Sequence, residues 1–371
     1  MSKIQFTNTV SIKELRTLIP LIASEITPVI QSEPGCGKTS LLSMIATDNK
    51  DTWRSPRDGT SIDGDKYDYI YVDCPVKDMS DVGMTIPNHS TRQLEYYVSS
   101  LFNLNDSKPK VILLDELLKS PKLLQIIFTR LMLERMVGDI PLPDGSMIIA
   151  TSNNASDGVG DSMLAHAGNR VCMLQMAKPT PNEWLEWATV NGISRVIRSF
   201  VAMFPRCLAS YKDGNQKDNP YIFKPTEHAL SFCSPRSLAK CDVVVKNREH
   251  MNENSLTTAL AGIVGASAAG DMAAFLSLEK SLVDVKDIIK SPDTVTMPQD
   301  VSAQLMIMFQ AIDTVETQDE LSKFMIFVER IESSEIQAVF FTMLMRNPKS
   351  VRLARNNMKI AEWAKMNHQL F

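Results

Sequence analysis

The sequence has few cysteines, and none of them has the spacing that disulfide or zinc scaffolds require. The six cysteines stand at positions 36, 74, 172, 207, 233 and 241, without a CxxC pair and without a short spacing to histidine. Disulfide-framed secreted domains and zinc ribbons depend on such spacings. Neither class is indicated, and the sequence favours a reducing, cytoplasmic compartment.

The sequence also lacks an excess of charge of either sign. Lys and Arg together number 39 and Asp and Glu together number 43, which gives a formal charge of −4. Proteins that coat nucleic acid or bind anionic membranes through polybasic tracts need clustered cations that face phosphates. The charge balance argues against both classes, although a local basic groove is compatible with it.

Long apolar runs are absent as well. The amino-terminal segment MSKIQFTNTVSIKEL contains no apolar stretch of the kind found in signal peptides. The most lipid-like stretch, residues 260–275, is interrupted by Asp271 and is rich in glycine and alanine. We therefore expect no signal peptide and no membrane span.

The chain is long and apolar enough to fold. With 371 residues, 44% of them hydrophobic, and one domain for about 150 residues, it should form two or three domains with cores of their own. The 21 methionines are an unusual feature. Their thioethers can serve core packing or an adaptable partner surface. Several stand in the second half of the chain, including Met306, Met308, Met325, Met343 and Met345.

The order of apolar patterns divides the chain. Up to Lys178, strand patterns alternate with helix patterns, which predicts a parallel five-stranded sheet covered on both faces. Strands are expected at residues 27–30, 67–73, 110–114, 146–154 and 170–176. After Lys178 nearly every pattern is helical. We predict an α/β domain over residues 1–178, a helical lid domain over 179–280 and a helical C-terminal region over 281–371.

Local signals add three more specific expectations. Ser11 and Glu14 form a capping box that starts a helix, which Pro20 should end or kink. A helix is expected at residues 91–104, after a loop-rich stretch. Residues 135–149 are expected to form a small hairpin with Asp144 and Gly145 at its turn, leading into the next strand.

A glycine-rich segment, SEPGCGKT, follows the first strand and precedes a helix. Its pattern is that of a P-loop, in which backbone N–H groups and a helix start hold phosphates, Lys38 reaches the β/γ oxygens and Thr39 can ligate magnesium. Ser32 stands where the pattern has its first glycine, and a chance glycine-rich turn is the alternative. The predicted nucleotide-binding residues are Glu33, Pro34, Gly35, Cys36, Gly37, Lys38, Thr39 and Ser40.

Two further strand ends carry polar residues that suit the same chemistry. Asp115 and Glu116 follow the apolar run KVILL, as a Walker B pair does. In such a pair Asp115 would hold the magnesium ion and Glu116 would polarise the attacking water. Asn153 follows the strand MIIATS, and we predict that it positions that water, whereas Asn154 is interpreted as a turn residue. For Asp115 and Glu116 the simpler alternative is that they are solvated carboxylates at a strand end, without a role in binding or catalysis.

Together these motifs resemble those of the AAA+ ATPases, and in particular the MoxR-type branch with its dynein-related relatives. The resemblance is carried over about residues 10 to 250 by SEPGCGKT, VILLDEL, IIATSN, AHAGNRV and CSPRS. It implies a P-loop AAA+ core with a helical lid. It further implies ATP and Mg2+ as cofactors and a homo-oligomeric ring, usually a hexamer, with ATP at the subunit interfaces.

The resemblance also assigns two arginines. Arg170 matches the arginine finger that reaches a neighbour's γ-phosphate, and Arg236 matches the sensor-2 arginine of the lid. Planar cations at these places would stabilise charge on the transferred phosphoryl group. Either arginine alone could be a surface salt-bridge partner, and Arg130, Arg135 and Asn169 are near enough to compete for the finger assignment.

Residues 81–87 resemble the loop region in which this branch carries an extra helix insertion, and residues 135–147 resemble its pre-sensor-1 hairpin. Cys36 within the P-loop is either a redox-sensitive thiol at a helix start or a small filler.

Three functions are compatible with these features. The leading one is an ATP-driven ring that remodels a protein client, for which the resemblance implies a partner with a von Willebrand factor A domain. A nucleic-acid motor or loader uses the same core, but no basic, aromatic-bearing loop or added helix-turn-helix supports it. A scaffold that binds ATP without turnover is left open by Ser32 and disfavoured by the intact Lys38, Thr39, Asp115 and Glu116.

Overall fold

The structure of the chain, a computed structural model, describes residues 9–49, 62–63, 65–154, 169–227, 229–279 and 282–367. Contacts divide the chain into two compact units, Met1–Lys178 and Pro179–Phe371. The expected subdivision of the second unit at residue 280 stays a prediction. Within the described ranges, no helix is both long and apolar enough to cross a membrane.

The first unit is built on one mixed sheet and two short hairpins. Its strands are β1 (Thr9–Val10), β2 (Pro28–Ser32), β3 (Ile62–Asp63), β4 (Asp68–Asp73), β5 (Gly83–Asn88), β6 (Gln93–Val98), β7 (Lys110–Asp115), β8 (Met136–Val137), β9 (Ile140–Pro141), β10 (Met147–Asn153) and β11 (Cys172–Met176). Its described helices are α1 (Ile12–Ile22), α2 (Ser40–Asp48), α3 (Met79–Val82) and α4 (Lys122–Glu134).

The main sheet has the strand order β1-β11-β2-β10-β7-β4-β3. All neighbours are parallel except β3, which pairs antiparallel with β4. The predicted α/β class and parallel sheet are confirmed. The five expected strands form the centre of the sheet, and the structure adds short β1 and β3 at its edges.

Helices cover both faces of this sheet, as the unbroken apolar runs require. Every residue of β7 and β10 is buried. Alternate strand residues contribute to two cores: Ile30, Leu113 and Ile149 pack with α1 and α2, whereas Val29, Ile112 and Ile148 pack with α4. The layers leave the carboxyl ends of β2, β10, β7 and β4 side by side.

The helix expected at residues 91–104 is wrong. Residues Gln93–Val98 form β6, which pairs with β5 as an antiparallel hairpin, and a 3-10 turn at Ser100–Phe102 follows. The Tyr96 ring lies so close to Gly138 that a Cβ atom there would be 2.0 Å from it. Pairing with β5 in a local hairpin and this packing on Gly138, which is distant in sequence, decide the conformation.

Two smaller expectations also differ. The turn of the second hairpin is at Gly138, between β8 and β9, and the turn at Asp144 and Gly145 leads into β10 instead. The capping box of α1 is present, but Pro20 lies inside the helix, which continues to Ile22.

The second unit is helical in the parts that the structure describes. Its helices are α5 (Pro181–Val190), α6 (Arg195–Met203), α7 (Pro235–Lys246), α8 (Glu253–Val264), α9 (Ala266–Glu279), α10 (Val285–Lys290), α11 (Val301–Thr314), α12 (Gln318–Glu329), α13 (Ser334–Arg346), α14 (Val351–Arg355) and α15 (Met358–Met366). One hydrophobic core joins them. Met306, Met308, Met325 and Met343 are buried in it, which favours core packing for these four, whereas Met345 is 37% exposed.

Candidate functional site at the carboxyl edge of the sheet

The glycine-rich loop connects the end of β2 to the start of α2. Gly35 and Gly37 have φ angles of 76° and 96°, in the left-handed region that side chains disfavour. Ser40 N–H already bonds to the Gly37 carbonyl oxygen at 3.0 Å, so the helix begins directly after the loop. The glycines are therefore required for the tight curvature that brings backbone N–H groups and the helix start together.

Lys38 is buried at the centre of this loop. Its Nζ donates to Ser32 O at 3.2 Å, Ser32 Oγ at 3.0 Å and Glu33 O at 3.3 Å. It also donates to Asn153 Oδ1 at 2.8 Å. Ser32, which replaces the first glycine of the motif, is the last residue of β2 and supplies an acceptor for the ammonium group. The substitution is therefore compatible with the loop.

Asp115 lies two strands away from the loop and still contacts it. Its Oδ2 accepts from Thr39 Oγ1 at 2.9 Å and from the Tyr71 hydroxyl at 3.0 Å. Its Oδ1 accepts from Thr151 Oγ1. Burial and the neighbouring Asp115 carboxylate raise the pKa of Tyr71, so the phenol stays a donor. Three hydroxyl groups from three elements thus fix the orientation of this carboxylate.

Glu116 has a strained backbone. Its φ of 52° places a non-glycine residue in the left-handed region, which costs conformational energy and is common at functional sites. The N–H of Glu116 donates to Thr151 Oγ1 at 3.1 Å, and its carboxylate forms an ion pair with Lys119. The Glu116 side chain is 34% exposed, whereas Asp115, the other member of the predicted Walker B pair, is buried.

Asn153 ends β10, the strand that lies between β2 and β7. Its amide oxygen contacts Lys38, so the structure brings it to the predicted P-loop. Asn154 is also buried and accepts from Gln175 Nε2 at 2.9 Å. Asn154 is therefore held by the sheet rather than exposed as an ordinary turn residue.

A third carboxylate stands at this edge that the sequence did not single out. Asp73 ends β4 directly opposite Asp115 in the strand register. Burial, followed by the charges of Asp115 and Glu116, raises the pKa of Asp73. The like charges of Asp115 and Glu116 thus disfavour the ionised form of Asp73.

The oxygen donors at this edge suit Mg2+ in particular. Within the described ranges there is no cluster of three or more His, Cys, Asp or Glu residues able to hold a metal ion alone. Magnesium commonly binds one or two carboxylates together with water and substrate phosphates. Thr39 Oγ1 and the Asp115 carboxylate are the residues that would hold it.

Cys36 fits the second of its two interpretations. The side chain is 2% exposed, and burial raises the pKa of its thiol to about 11. The thiolate is therefore disfavoured despite the nearby helix start, and the small side chain packs with the core on the α1 and α2 face.

The two arginines are not drawn into these contacts. Arg170 lies just before β11 and Arg236 in the first turn of α7, both exposed, and neither has a hydrogen bond or ion pair to another residue that the structure describes. Residues 165–168 of the AHAGNRV motif lie outside the described residues. The competing Arg130 is paired with Glu134 at 2.7 Å. The roles of Arg170 and Arg236 stay predictions.

Sequence reasoning missed Tyr71, Thr151, Asp73 and Lys119. Tyr71 and Thr151 stand two residues before the polar residues that end their strands. Because side chains two positions apart in a strand point to the same face, this spacing could have indicated that they lie near the site. Nothing local indicated that the three strands adjoin.

No protein-family model matches the sequence, and no curated protein matches it. Among solved structures, a candidate ATPase from Cytophaga hutchinsonii is 16% identical with a TM-score of 0.32, over 69% of this chain and 82% of that one. A variant of RuvB from Thermotoga maritima is 13% identical with a TM-score of 0.35, and the match covers 82% of this chain and 84% of that one. PCH-2 from C. elegans is 15% identical with a TM-score of 0.28, and the match covers 82% of this chain and 67% of that one. These similarities do not assign a chemistry to this edge of the sheet.

Proposed function

We propose that this chain is an AAA+ ATPase that hydrolyses ATP at the carboxyl edge of its parallel sheet. The observation that carries the proposal is the convergence of four predicted residues at that edge. Lys38 contacts Asn153 at 2.8 Å, and Thr39 contacts Asp115 at 2.9 Å. Ligands of open α/β sheets bind outside the carboxyl ends of the strands. A buried ammonium, a helix start and oxygen donors are what a magnesium triphosphate requires.

The residues of the loop would bind and orient the phosphates. Lys38 is held in place by carbonyl and amide oxygens, and phosphate oxygens would replace some of these acceptors without moving the side chain far. Thr39 and Asp115 would hold Mg2+, which when bound neutralises negative charge on the phosphate oxygens. Tyr71 and Thr151 keep the Asp115 carboxylate in one orientation, so little reorganisation is needed.

The hydrolytic step would use Glu116 and Asn153. The Asn153 amide would orient a water molecule toward the γ-phosphorus, and Glu116 would accept the proton of that water as its oxygen forms the new bond. The bond between the γ-phosphorus and the bridging oxygen breaks, which leaves ADP and inorganic phosphate. Glu116 has to leave its ion pair with Lys119 to do this.

Loss of the Lys38 ammonium tests the site. We expect Lys38→Ala to weaken ATP binding about 100-fold, because several charge-assisted hydrogen bonds to phosphate are lost together. Equilibrium titration with a fluorescent ATP analogue measures this. The exposed Lys122→Ala on α4 is the matched control. An unchanged affinity in Lys38→Ala would remove the nucleotide site from this loop.

The proposal extends to a ring in which Arg170 acts on a neighbour's nucleotide. Its support is the motif resemblance together with the exposure of Arg170 just before β11. We expect Arg170→Ala to bind ATP normally and to lose turnover. Size-exclusion chromatography with and without ATP tests whether the ring forms. ATP turnover at the wild-type rate in Arg170→Ala would exclude Arg170 as the arginine finger.

We propose a protein, rather than a nucleic acid, as the client, with a von Willebrand factor A protein as the partner that the resemblance implies. The net charge of −4 supports this, and so does the β5–β6 hairpin, where paired Met84 and Tyr97 are each 53% exposed. An unfolded model protein should raise ATP turnover, and Met84→Ser/Tyr97→Ser should abolish that rise without changing basal turnover. Stimulation by DNA alone would favour a nucleic-acid motor instead.

A further inference from the structure

The phosphate-binding loop contains a second buried charge besides Lys38. Glu33 is the only acidic residue between Ser32 and Ser40, and its carboxylate side chain is 7% exposed. Lys178, two residues after the end of β11, places its Nζ 3.9 Å from Glu33 Oε2, and its side chain is 5% exposed. The pair joins the loop to a segment that is far from it in sequence.

A buried carboxylate in this loop opposes the binding of a polyanion. Two charges a few ångströms apart in a protein interior interact strongly, and salt in solution screens them little. A buried charge that loses its partner is costly. The backbone of Glu33 belongs to the site itself, because its carbonyl oxygen accepts from Lys38 at 3.3 Å. The charge of Glu33 therefore needs compensation wherever phosphates are to bind.

The charges of Glu33 and Lys178 both act on the thiol of Cys36, in the middle of the loop. Burial is the main cause of the high pKa of its thiol; next, Lys178 lowers that pKa and Glu33 raises it, with larger effects than Lys38. The thiol thus senses the two members of the pair in opposite directions. Changing one member should change the reactivity of Cys36 with a predictable sign.

We propose that Lys178 is a positioning residue of the nucleotide site, which neutralises Glu33 and so keeps the loop able to accept the phosphates of ATP. The proposal rests on the proposed function, since it concerns the same site. Lys178 acts through Glu33 rather than on the phosphates. Its removal should therefore matter only while Glu33 keeps its charge.

Equilibrium ATP titrations of four variants test this. We expect Lys178→Met to weaken ATP binding about 10-fold or more, because the buried Glu33 carboxylate loses the ammonium group of Lys178. Glu33→Gln should bind ATP as tightly as the wild type or more tightly, Lys178→Arg should stay within about 3-fold, and Glu33→Gln/Lys178→Met should return to within about 3-fold of the wild type. Lys122→Met, an exposed lysine, is the control for loss of one positive charge.

Alkylation of Cys36 at fixed pH, followed by peptide mass spectrometry, gives a readout that does not depend on activity. We expect Glu33→Gln to react faster than the wild type and Lys178→Met to react more slowly. General loosening of the loop would accelerate both variants. This readout therefore separates an electrostatic role from a merely structural one.

Each outcome decides the inference. If the double variant binds ATP as weakly as Lys178→Met, Lys178 acts on the phosphates directly, and its proposed role through Glu33 is overturned. Equal losses of ATP affinity in Glu33→Gln and Lys178→Met would overturn that role as well. If Lys178→Met does not fold, a loss of ATP affinity in Glu33→Gln alone still contradicts it. Failure of the wild type to bind ATP would refute the proposed function instead, whereas a wild type that binds and a Lys178→Met that binds equally would refute only the role of Lys178.

Discussion

Strands β4 and β7 lie side by side, and charged residues stand at both of their ends. At the amino ends, the fully buried Lys110 ammonium lies 2.6 Å from both Asp68 and Asp106. At the carboxyl ends, Asp73 lies opposite Asp115, and Glu116 follows Asp115 directly. Glu116 pairs with Lys119, whereas Asp115 accepts from hydroxyl groups. The same two strands thus carry an ion-paired cluster at one edge and neighbouring carboxylates of like charge at the other.

The pKa directions follow this difference. The hydrogen bond from Lys110 lowers the pKa of Asp106 at the amino edge. Burial and the neighbouring carboxylates raise the pKa of Asp73 at the carboxyl edge. Ion-paired charges suit a structural role, whereas like charges held close together with a shifted pKa are typical of functional sites. The comparison predicts that substitutions at the two edges separate stability from activity.

The largest effect is expected from Glu116→Gln. Turnover should fall about 10²- to 10⁴-fold, because the proton acceptor of the attacking water is lost, while ATP binding stays intact. Phosphate-release kinetics and nucleotide titration measure the two quantities. Glu134→Gln, an exposed glutamate on α4, is the matched control. Phosphate release at the wild-type rate in Glu116→Gln would mean that this edge does not supply the general base.

Lys110→Met should remove the ion pairs at the amino ends of β4 and β7. Asp68 would stay buried with its main partner removed, so the free energy of unfolding should fall by about 3–5 kcal/mol. Urea denaturation measures the change, and the ATP affinity of the folded fraction should not alter. Lys108→Met is a graded control, because Lys108 lies 3.3 Å from Asp68 and is more exposed. Equal stability of Lys110→Met and wild type would show that the pair is not structural.

Tyr71→Phe should sharpen the assignment of the metal ligands. The ring is kept, but Asp115 loses one hydroxyl donor, and the apparent affinity for Mg2+ should fall about 10-fold. Magnesium titrations of ATP turnover give this value. Tyr69→Phe on the same strand is the control, since the Tyr69 hydroxyl contacts Asn49 and not Asp115. A similar magnesium dependence in both variants would contradict the positioning role of Tyr71.

Asp73→Asn should have the smallest effect, a gain of about 0.5 kcal/mol in the free energy of unfolding near neutral pH. The folded protein holds the Asp73 proton more tightly than the unfolded chain. The stability contributed by this group is therefore present at low pH and is lost as pH rises through the unfolded and then the folded pKa. Unfolding measured from about pH 3.5 to 7 should show a weaker decline in Asp73→Asn. A steeper decline would reverse the inferred sign.

Much of the first unit was predictable because its signals are local. The apolar runs of β7 and β10 and the glycines before α2 specify strand, loop and helix without distant contacts. The helix predicted at residues 91–104 was wrong because the segment pairs with β5 as a hairpin, and because Tyr96 packs on Gly138, a contact that no local pattern shows. Side-chain partners such as Tyr71 and Thr151 depend on which strands adjoin, and that order differs from the order in the chain.

By itself the sequence determined which residue types stand at the strand ends, since backbone preference and apolar periodicity act over a few residues. Lys38, Thr39, Asp115, Glu116 and Asn153 were identified in this way. Only the tertiary structure decided that Asn153 reaches Lys38, that Asp73 joins Asp115, and that Lys178 lies beside Glu33. These contacts join residues up to 145 positions apart, from Glu33 to Lys178. Strand order brings them together, because parallel strands packed between helices share one carboxyl edge.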